Sequence, residues 1–395
     1  MPESTLLHEA KELFPQLAGY RESLHQIPET DLELPQTSAF VQDQLSALGI
    51  EHTTLVDGNC VVATVGSGKP CIMLRADMDA LPIAEDSGET FASTNGNMHA
   101  CGHDLHASAL LGAAALLKRH ESELAGTVKL LFQPGEETFH GAQAAIDDGL
   151  LENPHVDAAF GMHSASQVPV GVVLYGTQCM TAVYGFRITV NGRGGHGSNP
   201  GECIDPISAA IQIHLALQEL MSREKSPFDE ASLTIGSFHA GSASNIIPNQ
   251  AVMEGTMRVF NPEARAFLIK RINEIVPAVA AAYRTTATVE TIIDVPPTIN
   301  DEDMLSDVLG YLGDELPEIT LADKFHVMPS EDFALYGERI PTVYLMAGAK
   351  PDDVDDPLPH HNAKVRFSSD EIPFAAAAYA SVALRWLADH AGKEE

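Results

Sequence analysis

Nine residues, Met98-His99-Ala100-Cys101-Gly102-His103-Asp104-Leu105-His106, hold three imidazoles, a thiol and a carboxylate. These side chains bind transition metals, and binding needs them close in space. Cys101 and His103, two residues apart on a loop or extended segment, can converge on one ion. The same pair also fits a small buried cysteine beside helix-capping residues. His99 and His106 suit supporting or capping roles better than ligation. An apolar run, Ala107 to Leu117, follows at once, so the cluster stands where a loop enters a buried helix.

Other groups of the same chemistry lie further along. Glu136 and Glu137 directly follow a β-rich run, where ligands gather in open α/β sheets. Adjacent carboxylates there project to opposite sides, so one can bind metal while its neighbour faces a reacting centre. A solvated acidic turn is the plainer alternative. His163 ends the next apolar run, and His360-His361 follow the acidic, proline-rich loop Pro351 to Pro359. Singly, each of these histidines reads as a core or surface residue. Together with Cys101 and a glutamate they are enough to serve two ions if one group bridges, and paired ions are a hydrolytic arrangement. No Gly-x-Ser-x-Gly elbow, P-loop or dinucleotide fingerprint competes.

These residues need elements to position them. Two amphipathic helices, about 4–24 and Thr37 to Leu48, open the chain. Val61 to Val65 and Cys71 to Leu74 are β-rich runs joined by Gly66-Ser67-Gly68, a hairpin signal. The strands Thr127 to Phe132 and Val156 to Met162 alternate with helices, which indicates α/β layers with a largely parallel sheet. From Tyr184 the order becomes β-α-β-β-α-β, that of a ferredoxin-like unit, with Pro296-Pro297 as a hinge back. The α/β pattern then resumes with a helix at Asp301 to Leu312, a strand at Thr342 to Met346 and a helix at Asp370 to His390. The expected organisation is a discontinuous domain, 1–182 and 295–395, with residues 183–294 inserted.

The 395 residues suit two domains, each with its own core. A net charge of −32 argues against nucleic acid or anionic membrane as a partner. Five scattered cysteines form no disulfide framework and suit a reducing compartment. With no signal-peptide pattern and no spanning apolar run, the protein reads as cytoplasmic.

Arg75-Ala-Asp-Met-Asp-Ala-Leu-Pro82, Met98 to Asp104, Gln133-Pro-Gly-Glu-Glu137, Gly192-Arg-Gly-Gly-His-Gly-Ser198 and Ser330-Glu-Asp-Phe333 run in order along nearly the whole chain. In that combination they resemble the amidohydrolase branch of the aminoacylase/carboxypeptidase metallopeptidase clan. That branch includes hippurate hydrolases, N-acyl-amino-acid deacylases and indole-acetyl-amino-acid hydrolases. The resemblance implies an aminopeptidase-like α/β/α catalytic domain holding two divalent ions (zinc, manganese, nickel or cobalt), and an inserted lid that pairs two subunits. It makes Cys101, His103, Glu137, His163 and His361 the metal ligands, with the Cys bridging, and places Glu136 as general base. Asp79 falls where a supporting Asp orients a ligand. His196 matches a lid histidine that reaches a neighbouring active site, and Asn245 and Arg258 match substrate contacts. The implied reaction is hydrolysis of N-acyl amino acids. A dipeptidase or N-carbamoyl-amino-acid hydrolase of the same clan is the nearer alternative, and a non-catalytic metal-binding scaffold the more distant one. Three departures stand out: Thr138-Phe139-His140 after the Glu pair where glycines are usual, Ala363-Lys364-Val365 after the last His, and Leu105 where Gly is common. They bear on substrate more than on reaction.

Overall fold

The computed structural model describes residues 4–392, and by internal contacts the chain divides into two units. The larger takes the chain up to Cys179, Ile299–His326 and the chain from Asp332 onward. The smaller takes Met180–Thr298 together with the short segment Val327–Glu331.

The larger unit is built on an eight-stranded sheet. Its strands in chain order are β1 (His52–Leu55), β2 (Cys60–Gly66), β3 (Cys71–Asp77), β4 (Thr127–Gln133), β5 (Ala158–Pro169), β6 (Val172–Tyr175), β7 (Thr320–Asp323) and β8 (Thr342–Lys350). Across the sheet they lie β1-β2-β4-β3-β5-β8-β6-β7. The central strands β4, β3, β5 and β8 run parallel. The pairs β1/β2, β2/β4 and β8/β6 are antiparallel, so the sheet is mixed rather than largely parallel. Every residue of β3 and β4 is buried, as expected of strands covered on both faces.

The hairpin expected between β2 and β3 does not form. The Gly66-Ser67-Gly68 turn does reverse the chain, but β4 lies between the two strands, antiparallel to β2 and parallel to β3. A turn signal is local, whereas the wholly buried β4 needs a neighbour on each edge and takes the slot.

The helices of this unit are α1 (Thr5–His25), α2 (Pro35–Ala47), α3 (His103–Arg119), α4 (Gly141–Asp147), α5 (Glu302–Glu315) and α6 (Ile372–His390). Helix α3 is buried from His103 to Leu117 and packs against α1, α6 and β3. A helix buried all round has no face to give to water, which explains the small and apolar residues that dominate Ala107 to Leu117.

In the smaller unit four antiparallel strands lie in the order Ala231–Ala240, Gln250–Val259, Ala182–Asn191, Thr286–Val295. The helices Pro206–Glu219 and Pro262–Ala282 pack on this sheet over a core that includes Phe186, Ile188, Met253, Leu268 and Ile272. Chain order and strand order are those of a ferredoxin-like unit. Among the described residues no helix is long and apolar enough to cross a membrane.

Candidate metal centre

The loop ahead of α3 carries Cys101 and Gly102, and His103 begins the helix. Gly102 has φ 89°, a left-handed backbone that residues with a Cβ rarely adopt. A Cβ there would also come within 3.3 Å of Phe367. This turn sets the Cys101 thiol and the His103 ring toward one point.

Hydrogen bonds fix which ring nitrogens are free. His103 Nδ1 donates to the Asp79 carbonyl at 2.9 Å, which leaves Nε2 with a lone pair in the neutral ring. That Nε2 is buried and has no hydrogen-bond partner. Around it stand Asp77 Oδ2 at 3.8 Å and Glu136 Oε2 and Glu137 Oε1, each at 4.0 Å. Burial alone would lower the His103 pKa, but Asp77, Asp79 and Glu137 carry it up to about 10. The negative surroundings therefore call for a cation at Nε2. His163 Nδ1 donates to the Ser164 carbonyl at 2.8 Å, so its Nε2 lone pair faces Cys101 Sγ at 3.5 Å. Burial holds His163 well below the usual histidine range and keeps it a neutral donor.

The two glutamates leave β4 through Pro134-Gly135 and are held by Asp79. Its Oδ1 accepts the Glu136 N–H and its Oδ2 the Glu137 N–H, both at 3.1 Å. Glu137 Oε1 is buried without a hydrogen-bond partner and lies 3.3 Å from His361 Nε2. His361 is exposed, with φ 61°.

The donor atoms fall into overlapping groups whose members all lie within 4.8 Å of one another. Cys101, His103 and His163 make one, and Cys101, Glu137 and His361 another, so the sulfur is common to both. His103, Glu136 and Glu137 form a third. Burial, then Glu137 and Glu136, push the Cys101 thiol well above its ordinary pKa, so a thiolate here needs a cation beside it. Orphaned imidazole and carboxylate atoms around a sulfur fit divalent ions of borderline softness.

Behind the ligand atoms lies a network that spacing did not reveal. Asp77 accepts from His106 Nδ1 at 2.5 Å and from Arg75 at 2.6 Å, and Arg75 reaches Asp332 at 2.9 Å. The Ser164 N–H donates to His106 Nε2 at 2.7 Å. The two acids at the end of β3 were the available signal. Asp104 turns away, to Arg21 at 3.2 Å and His25 at 2.8 Å, and His25 reaches Glu85 at 3.0 Å. His99 is buried with neither ring nitrogen bonded.

In the smaller unit, His196 sits on a two-residue strand paired with Ile246–Ile247, so Asn245 lies at the end of the same ribbon. His196 Nδ1 accepts the Ser198 hydroxyl at 2.7 Å. Arg258, on the strand Gln250–Val259, is half-buried, and its Nη1 is buried without a hydrogen-bond partner.

With this geometry in view, the chain matches the peptidase family M20/M25/M40 over residues 73–385. It is 36% identical over 400 residues to the IAA-amino acid hydrolase ILR1-like 2 of Arabidopsis thaliana, covering 99% of this chain and 90% of that protein. It is 39% identical over 370 residues to the N-acetyl-L-cysteine deacetylase of Bacillus subtilis, covering 92% and 86%. Among solved structures, an aminohydrolase from methicillin-resistant Staphylococcus aureus superposes with a TM-score of 0.92 at 33% identity, covering 97% and 99%. A dinuclear metal-binding peptidase of the M20 family from Bacillus subtilis superposes with a TM-score of 0.82 at 31% identity, covering 96% and 99%.

Proposed function

The chain belongs to the peptidase family M20/M25/M40, and from that premise we propose that it hydrolyses the amide bond of N-acyl amino acids, releasing the carboxylic acid and the free amino acid. The observation that carries this reading is the pair of ligand groups sharing the Cys101 sulfur, with a Glu136 oxygen within 4.8 Å of His103 from one group and Glu137 from the other. Cys101, His103 and His163 would hold one divalent ion, and Cys101, Glu137 and His361 the other. When bound, such ions polarise the amide carbonyl and lower the pKa of water from 15.7 to about 7. Zinc, manganese, nickel and cobalt all suit this donor set.

Glu136 takes the proton of the attacking water and returns it to the leaving nitrogen, a transfer that contributes about 10²- to 10⁴-fold. Asp79 holds its backbone, so the carboxylate reaches the reacting atoms from a fixed base. Arg258, whose Nη1 has no hydrogen-bond partner among the described residues, offers a planar fork for the substrate α-carboxylate, and Asn245 a further polar contact. His196 stabilises the developing oxyanion, a donor whose loss typically costs about 3 to 4 kcal/mol. We include in the proposal a homodimer formed through the smaller unit, where Ile211, Leu215 and Phe238 are exposed, with His196 serving the partner's site. A sedimentation mass of one chain would count against it. Five free cysteines suit a reducing cytoplasm.

The test is a panel of N-acyl, N-carbamoyl and dipeptide substrates after reconstitution with each metal. Glu136→Gln is expected to cut turnover by at least about 10²-fold with bound metal unchanged; near-normal turnover would remove Glu136 from its role. Preference for the carbamoyl or dipeptide substrates would move the activity to another branch of the clan.

A further inference from the structure

Two imidazoles stand in succession after the acidic loop, and the reaction above uses only one of them. His361 lies beside Glu137, while its neighbour His360 addresses different atoms. His360 Nε2 accepts the backbone N–H of Ser166 at 3.2 Å. A backbone N–H can only donate, so Nε2 carries no proton and the neutral ring must hold it on Nδ1. Nδ1 lies 3.7 Å from Cys101 Sγ, within the reach of an N–H···S hydrogen bond. The ring has little freedom to leave. It stacks on His163 with centroids 5.2 Å apart at 16°, and meets the edge of Phe367 at 5.3 Å. Ser166 is fixed in turn by its hydroxyl, which donates to the Leu358 carbonyl at 2.9 Å.

We propose that His360 is a positioning residue that donates its Nδ1–H to the Cys101 sulfur, leaving the remaining sulfur lone pairs aimed at the two ions. A shared thiolate must direct electron pairs two ways at once, and a donor on a third side fixes that orientation. The bond also draws charge off the sulfur and so stabilises the thiolate form that the two cations would share. A ligand role fits the geometry poorly. One nitrogen of His360 is spent on Ser166, the other faces the sulfur itself, and His360 is in none of the ligand-distance groups among the described residues. The proposal rests on Cys101 being a metal ligand, as read above.

The experiment reconstitutes the full-length, metal-free protein with cobalt(II) and records its absorption and its cobalt titration. The wild-type protein is expected to show a sulfur-to-cobalt charge-transfer band that Cys101→Ser abolishes. His360→Leu is expected to shift that band to longer wavelength, because losing the donor raises the sulfur lone-pair energy. It should also weaken cobalt binding by about 10- to 100-fold while two cobalt ions still bind at saturation. His360→Asn puts an amide nitrogen near the Nδ1 position and should restore the band toward wild type. An unmoved band in His360→Leu overturns the proposal. So does the loss of one cobalt equivalent with altered d–d bands, which would make His360 a ligand. Should His360→Leu fail to fold by circular dichroism, His360→Asn is compared with His360→Gln, whose amide lies near the Nε2 position; identical bands in the two overturn the proposal. A charge-transfer band that survives Cys101→Ser refutes the ligand reading instead, so the two failures are told apart.

Discussion

Asp79 shows how much one carboxylate can organise. Both its oxygens are spent on backbone N–H groups of Glu136 and Glu137, and its own carbonyl fixes the His103 ring. Its side chain was legible in the sequence only as one of two acids at a strand's end. Its partners lie 24 to 58 residues away, and nothing in local spacing announces them. The five proposed ligand positions carry a clearer mark in the sequence, because few side chains bind metal and these sit where strands and loops end. Asp104, beside the ligand candidates in the chain, bonds instead to Arg21 and His25, and His25 to Glu85, contacts that only the fold creates. Glu371 gives a testable consequence at the same scale. Burial pushes its carboxyl from 4.5 up to about 8, opposed in part by Arg21. A folded-state pKa above the unfolded one means that the native protein holds the extra proton. The associated stability is therefore complete below about pH 4.5 and is lost as pH rises through 8. Glu371→Gln should flatten this dependence and stabilise the protein at pH 8.5 by on the order of 3 kcal/mol. Denaturant titrations at pH 5 and 8.5 measure it; a variant with the wild-type pH slope would remove Glu371 as the source.

At the scale of elements, the site depends on how β4 hands its chain to α4. The loop Pro134 to His140 folds back so tightly that Gly135 carbonyl accepts N–H groups from both His140 and Gly141. A Cβ on Gly141 would lie 1.6 Å from the Pro134 carbonyl oxygen, so the loop must open to admit any side chain. Gly141→Ala is expected to cost about 3 kcal/mol or more and to lower metal content, because the loop carries both glutamates. Equilibrium unfolding together with metal analysis checks this, and wild-type values for both would show that the loop is tolerant. Sequence patterning found α3, β3, β4 and β5 because each has a continuous apolar run. It did not find β6 and β7, four residues each, which are too short to sustain a period. Nor could it order the sheet, since the position of β4 between β2 and β3 reflects competition among distant edges.

At the scale of the molecule, a chain of net charge −32 also concentrates Asp77, Asp79, Glu136 and Glu137 within one buried region. Divalent ions there would relieve repulsion in the folded state only. Removing them with a chelator should lower the melting temperature, by the equivalent of about 2.7 kcal/mol for ions present at 100 times their Kd. Calorimetry with and without chelator measures the difference, and an unchanged midpoint would mean that folding does not draw on metal. The smaller unit begins at Met180, close to the change of pattern near residue 183. The return of Val327–Glu331 to the smaller unit has no such mark. One further consequence follows from His361, which is exposed and held at φ 61°, while Cys101, His103 and His163 are all buried. A left-handed residue with a Cβ costs about 1 kcal/mol, and an exposed imidazole must give up mobility to bind. The two ions should therefore enter and leave in a set order, the one at His361 being last in and first out. Calorimetric titration of the metal-free protein would then resolve two steps, with a stable singly loaded form between them. Hydrolysis would then rise with the second step of the titration rather than the first.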